Sequence, residues 1–215
     1  MAFLFLIFCF NLISKETLVY EKISGKGNQT INYEVNKKST GYEIAIKAKE
    51  QQSHIIAKDP YQLQSIDVKK TTGDEYFFEV KGNMIEARGT INGEKLFANH
   101  RIDKKNPWVQ EFDFGLLPLL SSNKSSLNFQ LINPKNFKMH KLVAKKVKEE
   151  AIKIKEILYD AVLVEITLQG FKSMFWKARI WYDKKTHDLL LYKSDEGPNT
   201  ASTTVTLISK TAKID

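Results

Sequence analysis

Thiols are nearly absent: Cys9 is the single cysteine in 215 residues. One thiol excludes an internal disulfide. Because Cys9 lies inside a segment expected to be removed, the mature protein is expected to have no thiol chemistry or cysteine metal site. Arginine is almost as scarce. Of 33 basic residues only Arg88, Arg101 and Arg179 are arginine, which leaves 33 − 3 = 30 lysines. Readers of nucleic acid lean on arginine forks for bases and phosphates, so a nucleic-acid partner is not expected. A long apolar run is also missing. The nearest to one, Phe3–Phe10 with Leu12 and Ile13, falls short of the ~20 residues a mature helix needs to span a bilayer. Its length is that of a signal-peptide core, although no Lys or Arg precedes it and no Ala-x-Ala site follows. Ser14 is the best small residue for cleavage, and the bulky Phe8 argues against acylation at Cys9. Residues 1–14 are therefore expected to be a signal peptide or a retained membrane anchor, and residues 15–215 a single β domain.

Apolar content is ample by contrast, at 42% hydrophobic and 11% aromatic residues, enough to build a core. The formal charge of +8 reads as a solvated lysine-rich surface or as attraction to an anionic envelope surface. The clearest pattern runs from Val162 to Ser194. Val162, Val164, Ile166 and Leu168 fall on one face, with Glu165, Thr167 and Gln169 on the other. Met174, Trp176, Ala178, Ile180 and Tyr182 then share a face, opposite Lys177, Arg179 and Asp183. A period of two is what a strand with one buried face requires. Gly170 and the polar run 183–188 supply turns, so a three-stranded antiparallel meander is expected.

The same rhythm recurs upstream at intervals of ~8–12 residues, the mark of an all-β sandwich or barrel. Tyr42, Ile44 and Ile46 alternate with charged residues; runs around Phe78 and Phe97 continue the meander, and Asn92-Gly93 is a strong hairpin signal. The pattern lapses between Asp103 and Ser126. There Pro107, Trp108, Phe112, Leu116 and Pro118 fit neither period, and a crossover with a short helical turn or a flap is expected. Phe129 lies in the strand that follows. Residues 137–159 admit two readings. Val143, Val147, Ala151 and Ile154 make a helical stripe, whereas Met139 to Val147 and Ile152 to Ile154 make two strands hinged at Glu149-Glu150. The surrounding meander selects the strands.

At Leu127-Asn-Phe-Gln-Leu-Ile-Asn-Pro134, at Gly170 followed by Phe175-Trp-Lys-Ala-Arg-Ile-Trp-Tyr182, and at Glu196-Gly-Pro198, the chain resembles a family of exported bacterial proteins of unknown function. That family is related to the periplasmic carriers of outer-membrane lipoproteins. The resemblance implies a curved antiparallel half-barrel whose concave apolar side holds acyl chains beneath a lid, and it brings no catalytic residues.

Reactive constellations are missing. His54, His100, His140 and His187 are scattered, with no metal-ligand spacing. There is no Gly-x-Ser-x-Gly elbow. Gly25-x-Gly27 lacks a third glycine, and His187-Asp188 reads as a turn. No enzyme, cofactor or metal is expected. The expected fold is all-β, a strongly curved antiparallel sheet of about a dozen strands, half-barrel or open barrel, with a short covering segment. Its expected role is binding of a lipid, acyl chain or other hydrophobic ligand in the periplasm or at the outer-membrane periphery. Met174, Trp176 and Ile180 would line the floor, Trp108, Phe112 and Leu116 the cover, and Tyr42, Ile44, Phe78, Phe97 and Phe129 the walls. The alternative is a structural or protein-interaction module whose own side chains fill the concavity.

Overall fold

Alternating burial runs through strand after strand and sets the architecture. The computed structural model describes residues 14–25, 27–58, 61–170, 176–195 and 202–214. Met174 and all but the last residue of the expected leader lie outside the described residues. Among the described residues fourteen strands form one sheet. The first eight are β1 (Ser14–Ser24), β2 (Gly27–Lys38), β3 (Gly41–Ala48), β4 (Gln51–Lys58), β5 (Gln62–Lys70), β6 (Glu75–Lys81), β7 (Met84–Ile91) and β8 (Glu94–Arg101). Two short helices follow, α1 (Phe112–Gly115) and α2 (Leu117–Leu120). Then come β9 (Ser126–Ile132), β10 (Met139–Ile154), β11 (Ile157–Leu168), β12 (Lys177–Asp183), β13 (Leu189–Asp195) and β14 (Thr203–Ile214).

Spatial order is β8 back to β1, then β14 back to β9. Every adjacent pair is consecutive in sequence except one, the antiparallel seam between β1 and β14, where Ser14 pairs with Ile214. The sheet does not close, so β8 and β9 are its edges. It curls until the two arms nearly meet. Phe137, in the turn after β9, packs edge-on against Phe78 of β6 at 5.2 Å, and His100 Nε2 of β8 reaches the Phe137 carbonyl at 2.7 Å.

The expected meander of residues 162–194 is present as β11, β12 and β13, paired antiparallel in that order. Ala178, Ile180 and Tyr182 are fully buried on its inner face. The neighbouring register holds a difference from the expectation. Residues 139–154 form one continuous strand rather than two hinged at Glu149-Glu150; the irregularity falls between Lys146 and Lys148, where the pairing with β11 shifts. Such a bulge bends a strand without ending it. Past it the other face is buried too, with Ala161 and Leu163 covered and Trp181 Nε1 donating to Glu150 Oε1 at 2.9 Å. The helical option is not taken because β10 has strand partners on both sides, β9 and β11. The Asn92-Gly93 hairpin forms as expected, both residues having positive φ (52° and 80°), as the tight turn requires.

Candidate ligand-binding site

The segment that fits neither period, residues 103–120, crosses from one edge of the sheet to the other and enters the hollow. It first caps the open edge of β9. Val109 N donates to the Gln130 carbonyl at 2.9 Å and Gln130 N to the Pro107 carbonyl at 2.9 Å, a short parallel bridge. Gln110 extends it with its side chain: Nε2 donates to the Ile132 carbonyl at 2.9 Å and Oε1 accepts from Ile132 N at 3.1 Å. A sheet edge that would otherwise offer unpaired groups is thereby covered. Helices α1 and α2 then lie inside, with Leu116 and Leu119 fully buried and Leu120 nearly so. Gly115 permits this approach, since a Cβ there would sit 2.5 Å from Val109 Cγ1. Two tyrosines of the sheet hold the cover. Tyr33 of β2 donates to Asp113 Oδ2 at 2.7 Å, and Tyr182 of β12 donates to the Phe112 carbonyl at 2.8 Å.

The residues expected to form the site divide accordingly. Ile44, Phe78, Phe129 and Ile180 are fully buried from the sheet side. Leu116 and Trp108 are buried from the cover side, and Trp108 and Phe112 pack against Phe78 and Phe129 at ring distances of 6.4 and 6.1 Å. Cover and walls therefore meet directly. Tyr42 and Trp176 are partly buried against the same core. Phe97 is placed differently: it is 65% exposed, on the outer face of edge strand β8. In that register Phe97 pairs with Arg88, while Leu96 and Ala98 turn inward.

A cleft of about 840 Å³ lies open beside the cover. Its walls include Tyr61 and Leu63 of the β4–β5 corner, Val80, Ile102, Trp108 and Pro118, with Lys58 and Lys104 at its border. Of these only Trp108 was expected from sequence.

Electrostatics single out the cover. Burial pushes the Glu111 carboxyl up to about 8, with the Asp113 charge adding to the effect. Burial likewise raises Asp113 to about 6, against the Tyr33 hydrogen bond, which lowers it. The tyrosines around them, Tyr20, Tyr33, Tyr61 and Tyr182, are driven well above the usual phenol range, first by burial and then by these carboxylates. The one legible sign was acids alternating with phenylalanines in Glu111-Phe-Asp-Phe114, inside an otherwise apolar run. Among the described residues no group of three His, Cys, Asp or Glu side chains is arranged to hold a metal. His54 pairs with Glu43 on the surface at 3.1 Å, and His187 sits in the turn that Asp183 caps.

Fold and site together define an open β-barrel-like sheet plugged by its own crossing segment. No protein-family profile matches the sequence, and no curated protein does. A solved structure from Brucella abortus, described as a beta-barrel-like protein of domain of unknown function DUF1849, is similar over 93% of this chain and 98% of its own. Its TM-score is 0.65 at 8% identity, so the likeness is one of fold. A putative lipoprotein from Parabacteroides distasonis overlays at a TM-score of 0.38, with 14% identity over 92% of this chain and 95% of its own. A putative outer-membrane lipoprotein-sorting protein domain from Vibrio parahaemolyticus gives 0.28, with 11% identity over 93% and 85%. Among the described residues no helix is long and apolar enough to cross a membrane.

Proposed function

We propose that this protein is a non-enzymatic envelope protein that binds an amphiphile, its apolar part held in the cleft between the covering segment and the ends of β4–β6. The observation that carries the reading is that cleft of about 840 Å³, bounded by Leu63, Val80, Ile102, Trp108 and Pro118. Concave, mainly apolar spaces of ~300–1,000 Å³ are the usual size of small-molecule sites. The concavity itself is occupied by Leu116 and Leu119, so the ligand enters beside the cover rather than beneath it. The apolar N-terminal run supports export, and the +8 charge supports approach to anionic envelope surfaces.

The test is denaturing extraction of the purified full chain followed by lipid mass spectrometry, with Val80→Arg as the blocked variant. A bound amphiphile in the native protein and its loss in Val80→Arg is the expected result. An empty native protein whose tryptophan fluorescence ignores added dodecanol would sink the proposal.

A second reading, an interaction module of the envelope, is supported by the filled hollow together with Phe97 standing exposed on a free edge strand. Exposed edges readily accept a partner strand. Loss of a co-purifying partner on Phe97→Ser, with the cleft empty, would select it.

A further inference from the structure

The two edges of the sheet are finished differently. Val109 and Gln110 cover the backbone edge of β9, whereas β8 pairs only with β7. Among the described residues no backbone hydrogen bond outside that pairing involves Glu94 to Arg101. The tight Asn92-Gly93 turn fixes which groups are left over. Ile91 and Glu94 flank it and exchange both bonds, and in an antiparallel ladder such pairs alternate with unbonded ones. Glu94, Leu96, Ala98 and His100 therefore bond to β7. The N–H and C=O groups of Lys95, Phe97 and Asn99 point to the open side, and all three side chains are exposed.

Charge along this edge is positive and unbalanced. Lys81 and Arg88 share Glu86, but among the described residues no ion pair involves Lys95 or Arg101. Phe97 stands between those two cations. Cross-strand pairing sets it beside Arg88, and Arg88 beside Phe77, whose ring the guanidinium covers at 4.5 Å. This row, with Thr90 and Lys95, lines a trough of about 550 Å³. The acids that share the trough, Glu75 and Asp67, stand two and three strands in from the edge. That is ~10 and ~14 Å away at the usual strand spacing. A strand added to β8 would thus meet an aromatic ring with a free cation on either side.

We infer that β8 binds an extended acidic segment of another protein as an added antiparallel strand. Its acids face Lys95 and Arg101, and an apolar residue between them faces Phe97. This rests on the interaction-module reading above and adds the chemistry of the partner; the cleft plays no part in it. Main-chain bonds give such a contact its affinity and the facing side chains its selectivity. Opposite charges across a ladder attract, and like charges repel. A second copy of this chain is the poorer occupant, because each copy carries +8 and like net charge opposes association.

The probe is the peptide Glu-Thr-Thr-Thr-Phe-Thr-Glu, titrated into the full chain and read by nuclear magnetic resonance. Its controls are a copy with lysine in place of glutamate and an N-methylated copy that cannot donate. Binding should slow amide exchange at Lys95, Phe97 and Asn99 and leave Leu96 and Ala98, already bonded to β7, as they were. Lys95→Glu, an exposed site that tolerates change, should weaken the acidic peptide at least about fivefold and favour the lysine copy instead. Equal binding of the glutamate and lysine peptides overturns the acidic partner and leaves the edge as an interaction site. Unchanged exchange at Lys95, Phe97 and Asn99, or full binding of the N-methylated copy, overturns strand addition. If no peptide binds but sedimentation shows a dimer that Phe97→Ser abolishes, a second copy is the occupant and the inference falls while the module reading stands. A monomer that binds no peptide overturns both.

Discussion

Phe97 shows how a single residue escapes the period-two rule. Both faces of β8 carry apolar groups, Leu96 and Ala98 on one and Phe97 on the other, so alternation alone does not choose. Pairing does: Arg88 opposite Phe97 marks the wet side, and Leu96 and Ala98 take the half-buried one. Phe97→Ser should change stability by no more than ~0.5 kcal/mol in urea unfolding, as exposed sites do. Phe129→Ala should cost ~3–5 kcal/mol, because the ring is wholly enclosed and leaves a cavity. Ile44 was legible because Glu43 and Lys47 mark its opposite face as polar. Phe77 beside Phe78 and Trp181 beside Ile180 put an aromatic on the outer face and leave the charged residues around them to tell inside from outside. The buried acids have their own signature. With Glu111 raised to about 8 and Asp113 to about 6, the folded chain holds protons that the unfolded chain releases. Their contribution to stability is complete below the ordinary values of 4.5 and 3.8 and is lost as pH rises through the raised ones. Glu111→Gln should therefore match the native melting temperature near pH 4 and exceed it above pH 8, measured by calorimetry.

At the scale of elements the covering segment is the part least readable from sequence, and its construction explains why. Its two helices have four residues each, too short to display a period. Its hold on β9 comes from one parallel bridge at Trp108, extended by a glutamine side chain acting as a backbone surrogate, rather than from a full strand. Gln110→Ala should strip the Ile132 amide and carbonyl of their partners, costing ~1–3 kcal/mol and speeding hydrogen exchange at Ile132. If Ile132 exchanges no faster in that variant, the edge is capped by something else. Strand β10 taught the converse lesson: its helical stripe was real, but β-partners on both sides decided the outcome. Here tertiary pairing outweighed local propensity.

Across the whole molecule, sequence rhythm announced many strands and one curved sheet but was silent on how the ends are joined. Nothing in either segment marks β1 and β14 as neighbours; their union is a property of the completed curl. That seam has a mechanical meaning. Ser14 lies beside Ile214, and the two strands run antiparallel away from that point, so a load applied ahead of Ser14 and beyond Ile214 would open the ladder one rung at a time, like a zip fastener. Pulled by its ends in an optical trap, the molecule should yield at low force and split along this line before either arm of hairpins gives way. A tether at the front of the chain would then be a gentle handle only while nothing tugs on the tail.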